Sequence, residues 1–121
     1  MPLQPIVDQQ GVTASWLNEN GVIHDLEGEA IAFVRANAVD DYNGEQLGWF
    51  QNGFFRDGAG DAIAFMTGYV GGPLPPLHEL PPIPPIPAIP PIPPVPAIPG
   101  IPPLPSLDWS DVTWEQFLGI E

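Results

Sequence analysis

The sequence predicts an all-β fold in which four hairpin repeats form a shallow barrel with pseudo-fourfold symmetry, followed by a polyproline II segment and a short C-terminal helix. Two observations predict it. A turn-and-strand motif recurs four times in the first 70 of the 121 residues, and an aliphatic residue then recurs at every third position among prolines. The predicted domains are a four-repeat β domain over residues 1–70, a proline-rich tail packing on it over residues 71–107, and a short amphipathic helix over residues 108–121.

Each repeat contains an aspartate, a glycine three positions later and an aromatic residue eight positions later, with a small residue just before the aromatic. An aspartate that opens a type I turn accepts a hydrogen bond from the backbone two residues on, and a glycine supplies the positive φ that follows the turn in a bulged hairpin. The Asp-x-x-Gly segment is therefore predicted to be a hairpin tip. The tips are residues 8–11, 25–28, 41–44 and 57–60, and the aromatic residues are Trp16, Phe33, Trp49 and Phe65.

Short β-branched and aromatic runs flank the tips, as expected of strands. Asn-Gly pairs at residues 20–21 and 52–53 provide hairpin turns between repeats. The sequence thus predicts eight antiparallel strands over roughly residues 4 to 68. A single hairpin cannot bury its apolar face, whereas four of them can close around an axis and hide their edges.

Three segments together resemble the bacterial four-fold beta-flower family. They are the repeated tips, the stretch LGWFQNGFFRD at residues 47–57, and the end of the triplet tail, SLDWSDVTWEQF, at residues 106–117. The resemblance extends over nearly the whole chain. It implies a shallow, four-petalled β barrel of four hairpins around a central axis, and it implies no particular activity.

The tail carries an aliphatic stripe with a period of three, running from Leu74 to Leu107. Polyproline II has three residues per turn, so the stripe follows one side of the rod. No charged residue occurs between Glu79 and Asp108, and so apolar a stripe is expected to pack on this chain's own β domain or on another chain. The residues singled out for packing or assembly are Leu77, Leu80, Ile83, Ile86, Ile89, Ile92, Val95, Ile98, Ile101 and Leu104.

A nine-residue interval also runs through the tail. The position before the aliphatic residue is usually proline, but at nine-residue steps it is Glu79, Ala88, Ala97 and Ser106, with Gly100 as one further exception. At about 3.1 Å per residue, four nonapeptides span about 110 Å. This favours a tail that encircles the β domain with one nonapeptide per repeat. Assembly of tails from different chains is the alternative.

The last segment is predicted to be a short helix over residues 110–118, with Ser110 as its N-cap and Asp111 in its first turn. An apolar side that docks and fixes the tail would be supplied by Val112, Trp114, Phe117 and Leu118.

Catalytic and metal-binding chemistry is not expected. The chain has no cysteine, the tip aspartates are explained by turn formation, and the ligand spacing of a calcium loop is missing. His24 shares its repeat position with Asp40 and Arg56, so it is interpreted as a solvated strand residue. We therefore expect no enzyme activity and no cofactor.

The charge restricts the partners. The formal net charge is -13, with two arginines and no lysine. Nucleic acids and anionic membrane surfaces are bound through cations, so neither is an expected partner. No transmembrane segment and no secretory signal is recognised, so a cytoplasmic location is expected, with signal-less export left open.

Three functional hypotheses follow. The leading one is a non-catalytic structural or interaction module whose tail completes the β domain. The second is a subunit of an oligomer or filament that uses the apolar stripe to contact itself or another protein. The third is a binding module for a small apolar ligand or lipid, through an axial ring formed by Trp16, Phe33, Trp49 and Phe65. The simpler interpretation of that ring is a packed core.

Overall fold

A closed antiparallel barrel forms the body of the protein. The computed structural model describes residues 3–77, 79–93 and 102–119. Within them, eight strands follow one another in chain order, and the last strand pairs with the first. The strands are β1 Gln4–Asp8, β2 Thr13–Leu17, β3 Val22–His24, β4 Ala30–Arg35, β5 Ala38–Asp41, β6 Gln46–Gln51, β7 Phe54–Arg56 and β8 Ala62–Phe65, and the helix α1 is Trp114–Leu118. The predicted all-β fold with a short C-terminal helix is confirmed.

Four hairpins make up the barrel, and we call them petals 1 to 4: β1–β2, β3–β4, β5–β6 and β7–β8. Each ends in one of the Asp-x-x-Gly tips. In petal 2, Asp25 Oδ1 accepts hydrogen bonds from the backbone N–H groups of Glu27 (2.9 Å) and Glu29 (3.0 Å), and Gly28 has a φ of 95°. The same pair of bonds recurs in the other three petals. The predicted turn-forming role of the tip aspartates is therefore confirmed.

The turns between petals use two devices. Between petals 1 and 2, Asn18 Oδ1 accepts from the backbone of Asn20 (2.8 Å) and Val22 (2.9 Å), as a tip aspartate would. Between petals 2 and 3, Ala36 and Asn37 both have positive φ (51° and 70°), which is the backbone of a type I′ turn. Short, well-defined turns on both sides of each hairpin fix the register of the barrel.

The inner face of the barrel is closed by α1. A buried cluster joins barrel residues such as Ile6, Ile23 and Phe55 to Trp114 and Phe117 of the helix. The Trp114 ring meets Phe55 edge-on at 5.1 Å, and its Nε1–H donates to Ser15 Oγ at 2.7 Å. The helix is therefore part of the core, although nearly the whole chain separates it from β2.

The N-cap of the helix lies three residues later than predicted. Its N-cap is Thr113, whose hydroxyl accepts from the Gln116 N–H (3.1 Å) while the Gln116 side chain accepts from the Thr113 N–H (3.0 Å). This reciprocal capping box fixes the start of the helix. The prediction of Ser110 as N-cap was wrong: its hydroxyl accepts from the Val112 N–H (3.0 Å) in a turn that precedes the helix, and it donates to Asp57 Oδ2 (2.5 Å) in the tip of petal 4.

Candidate functional site

The rim of the barrel presents the carbonyl groups of the tip glycines to the tail. Gly11 O accepts from the Glu79 N–H (2.8 Å), Gly28 O from the Ala88 N–H (2.8 Å), and Gly60 O from the Ser106 N–H (3.1 Å). The donors are the non-proline residues at nine-residue steps, because proline has no N–H to give. One tail residue in nine thus forms a backbone hydrogen bond with one petal. Ala97 lies outside the described residues.

The tip glycines also let the tail come close. A Cβ on Gly28 would collide with the carbonyl oxygen of Ile86, and one on Gly60 with that of Leu104. Positive φ and close approach therefore both require glycine at these two positions.

Arg56 joins the two ends of the tail to petal 4. Its guanidinium donates to Gly60 O (2.6 Å) and Ser106 O (2.9 Å) from one nitrogen, and to Gly71 O (3.2 Å) from the other. Gly71 lies at the start of the tail and Ser106 at its end. The side chain is fully buried, and desolvation lowers its pKa, partly offset by Asp61 and Asp57. The planar fork of arginine presents its donors in fixed directions, which suits three carbonyl groups around one side chain.

The aliphatic stripe faces away from the barrel. Its described members are 71% to 99% exposed: Leu74, Leu77, Leu80, Ile83, Ile86, Ile89, Ile92, Leu104 and Leu107. We call these nine residues the girdle. The expectation that the stripe packs on the β domain of its own chain is therefore wrong for the described residues. Val95, Ile98 and Ile101 lie outside them.

The direction of the girdle follows from the hydrogen bonds. A rod with three residues per turn has three rows of side chains, and the row with N–H donors must face the glycine carbonyls. Pro85, Ala88, Pro103 and Ser106 belong to that row and are half-buried. The aliphatic row is one position further along the rod, so it is turned towards solvent.

The four repeat aromatics do not form a ring around the axis. The small residues that precede them face α1: Ser15 bonds Trp114, and a Cβ on Gly48 would lie 2.6 Å from Phe117 Cε1. Successive side chains of a strand point to opposite faces. The aromatics are therefore on the outer face, where Phe65 packs with Phe54 and Trp109. The predicted axial ring of Trp16, Phe33, Trp49 and Phe65 is thus wrong, because α1 occupies the axis.

The residues that precede the tip aspartates also lie on the outer face, and they are buried. His24 Nδ1–H donates to Gly28 O (2.9 Å), and its Nε2 accepts from Asn18 Nδ2 (3.2 Å). The prediction of a solvated His24 was wrong, since the side chain has no exposed surface. The residue type at this position varies between repeats because its contacts beneath the tail differ. The sequence of a single repeat does not indicate these contacts.

Asp40 has the same position in petal 3. Its side chain is buried, Oδ2 makes no hydrogen bond, and the Arg35 guanidinium is 3.9 Å away. Desolvation raises the pKa of Asp40; the Arg35 charge lowers it by less, and Asp41 raises it further.

Open grooves remain between the tail and the outer face. The one at petals 2 and 3, which we call the Phe33 groove, has a volume of about 330 Å³. Phe33 packs against Tyr42 with the ring centroids 5.2 Å apart, and tail prolines form the opposite wall. The lining residues are Asn20, Val22, Phe33, Val34, Arg35, Tyr42, Pro90, Pro91 and Pro93. Phe33, one of the four residues of the predicted axial ring, thus lines a cavity, but this cavity is at the periphery of the barrel and not on its axis.

In the described part of the chain, no group of three or more His, Asp or Glu side chains could hold a metal ion. No helix there is long and apolar enough to cross a membrane.

Comparison with known proteins identifies the family. A search of curated proteins and a search of solved structures gave no match. A family profile described as 4-fold beta flower protein matches residues 4–118, which include all four petals, the tail and α1. The closed barrel of four hairpins agrees with that description. The chain therefore belongs to the 4-fold beta flower family.

Proposed function

We propose that the protein is a non-catalytic structural module that assembles with copies of itself through the girdle. In this proposal the tail, residues 71–107, completes the β domain of residues 1–70 and holds the aliphatic side chains outward. The exposure of the girdle, 71% or more at every described member, carries the proposal. A tail that existed only to cover its own barrel would turn its apolar row inward.

The energetics favour a partner for this surface. Burying a leucine or isoleucine side chain contributes roughly 1.5 to 3 kcal/mol, and large contiguous apolar patches on proteins usually mark interaction sites. The tail is held at the rim by backbone hydrogen bonds and by Arg56, so little chain entropy remains to be lost on association. A pre-ordered surface binds more tightly than a flexible one.

A second copy of the chain is the partner that we propose. Nucleic acid and anionic membrane surfaces are disfavoured by a net charge of -13. The tail has no charged residue from Leu80 to Leu107, so two girdles can approach along this stretch without placing like charges of their tails in direct contact.

Size-exclusion chromatography with light scattering over a wide concentration range tests the proposal. We expect a mass above the 13.0 kDa of the monomer that rises with concentration. The triple substitution Ile83→Ser, Ile86→Ser and Ile89→Ser should return the mass to the monomer value. Leu26→Ser is the matched control, since Leu26 is a partly exposed leucine in the tip of petal 2; it should associate as the unchanged chain does.

A compact monomer at all concentrations would refute self-assembly and leave the wrapped tail as a purely intramolecular element. The third hypothesis places a ligand at an axial aromatic ring. It is not favoured, because α1 side chains pack in the core of the barrel. The family is not a known enzyme family, which agrees with a non-catalytic role.

A further inference from the structure

We propose that the Phe33 groove receives an aliphatic girdle side chain from a second copy of the chain. The inference rests on the proposed self-assembly and adds the place where the copies meet.

The size and lining of the groove suit such an occupant. A cavity of about 150 Å³ accommodates a benzene ring, and the Phe33 groove has about 330 Å³. Phe33 and Tyr42 form one wall, and Pro90, Pro91 and Pro93 form the other. An isoleucine or leucine would therefore contact mainly apolar surface. Exposed girdle side chains recur at every third residue, which makes such side chains available in the same molecule.

The groove and the girdle are continuous. Pro90, Pro91 and Pro93 line the groove, while Ile89 and Ile92 alternate with them and are 95% and 94% exposed. A neighbouring girdle that contacts Ile89 and Ile92 therefore lies beside the groove, on the same segment of the tail. The girdle side chains and the groove are adjacent on one molecule. In a dimer with a twofold axis, each copy can therefore insert a girdle side chain into the groove of the other, and the contact closes.

Charge favours this groove over the others. Arg35 lines it and its side chain is 48% exposed, whereas Arg56, the other arginine of the chain, is buried. The groove near Tyr69 is bordered by Glu79, and the one beside α1 by Asp41 and Glu45. A second copy with a net charge of -13 is therefore repelled less at the Phe33 groove than at these two acidic grooves.

Asn20 offers a way to block the groove without disturbing the fold. It is exposed at the edge of the groove, and the turn depends on its backbone N–H, which donates to Asn18 Oδ1 at 2.8 Å. Asn20→Trp should cover the groove. Asn20→Ala leaves it open and is the matched control at the same position.

The dimer dissociation constants of the full-length variants, measured by analytical ultracentrifugation, decide the matter. We expect Asn20→Trp to raise the constant at least tenfold and Asn20→Ala to change it less than twofold, with both variants unfolding in urea as the unchanged chain does. If Asn20→Trp associates normally while the triple girdle substitution abolishes association, the groove assignment is overturned and girdle assembly stands. If the unchanged chain never associates, both are overturned.

Discussion

The residue that precedes the tip aspartate differs from petal to petal: Val7, His24, Asp40 and Arg56. His24 and Arg56 both donate to the glycine carbonyl of their own tip, and Arg56 also holds both ends of the tail. Asp40 is ionisable and buried without a donor for Oδ2. The repeat therefore keeps its backbone and changes this one side chain according to what lies over it.

Asp40 makes stability depend on pH. Its pKa is raised in the folded state, chiefly by desolvation, so the ionised form is disfavoured there. Its contribution to stability is complete below the ordinary value of 3.8 and is lost as pH rises through the folded-state pKa. Asp40→Asn should therefore raise the free energy of unfolding at neutral pH, by about 1 kcal/mol.

Urea unfolding of both proteins between pH 3 and pH 7 measures this effect. The difference between Asp40→Asn and the unchanged chain should be small at the acidic end, increase with pH and then level off. A variant that is less stable at pH 7 would show that the Arg35 ion pair outweighs desolvation.

A substitution at Ala88 tests whether the N–H groups at nine-residue steps hold the tail on the barrel. Ala88→Pro removes the N–H that bonds Gly28 O at 2.8 Å and places a ring carbon where the hydrogen was. The free energy of unfolding should fall by about 1 to 2 kcal/mol. Ala88→Ser keeps the N–H and copies the residue at position 106, so it should stay within about 0.5 kcal/mol of the unchanged chain.

Hydrogen exchange measured by NMR provides an independent reading of the same bonds. The amides of Glu79, Ala88 and Ser106 should exchange slowly, because each donates to a tip glycine. Rapid exchange at all three, as in an unstructured peptide, would mean that the tail does not stay on the rim.

At the scale of elements, α1 and the small residues beneath it depend on each other. Ser15, Ala32, Gly48 and Ala64 leave the room that Trp114 and Phe117 fill. A larger residue in any strand at this position would push the helix off the barrel axis. The helix has five residues, too few to be stable alone, so this packing holds it together.

Gly48→Ala should be strongly destabilising. The added Cβ would overlap the carbonyl oxygen of Arg56 and lie 2.6 Å from Phe117 Cε1. Overpacking of this kind typically costs 1 to 3 kcal/mol, and we expect about 2 kcal/mol or more by urea unfolding. Gly58→Ala is the control, since no atom lies within 4 Å of the added Cβ and φ is not positive; the same assay should show no loss of stability. Equal losses in both variants would contradict the proposed role of Gly48.

The elements differ in how far the sequence predicts them. The tips were predictable because the turn is local: aspartate and glycine determine it within four residues. The inward or outward direction of the repeat aromatics was not, because it depends on α1, which is distant in sequence. The start of α1 was misplaced because Ser110 and Thr113 are both good N-caps, and the Ser110 hydroxyl accepts from the Val112 N–H in a turn that precedes the helix.

The direction of the girdle was predictable in principle. A period of three shows that the aliphatic residues share one side of the rod, but not which side meets the barrel. Glu79, Ala88 and Ser106 contained the missing information: a proline row interrupted at regular steps must need its N–H groups. The hydrogen-bond partners of Arg56 could not be predicted from the sequence. Gly71 and Ser106 lie far apart in the chain, and no local motif indicates that either contacts Arg56.

For the whole molecule, charge and apolar surface act in opposite directions. Fifteen acidic residues and two arginines give a formal charge of -13, so two copies repel each other, while the girdle attracts them. Repulsion between exposed charges is screened by salt, and the Debye length falls from about 30 Å at 0.01 M to about 3 Å at 1 M ionic strength. The apolar attraction is not weakened by the same change.

Self-association should therefore strengthen as salt is added. Sedimentation at ionic strengths across that range should show a dissociation constant that falls steadily with salt. Arg35→Gln, which removes the exposed cation beside the Phe33 groove, should make the slope steeper, because the approaching copy then meets a more negative surface. A constant that rises with salt would mean that ion pairs join the copies, and the girdle would then not be the surface through which this protein assembles.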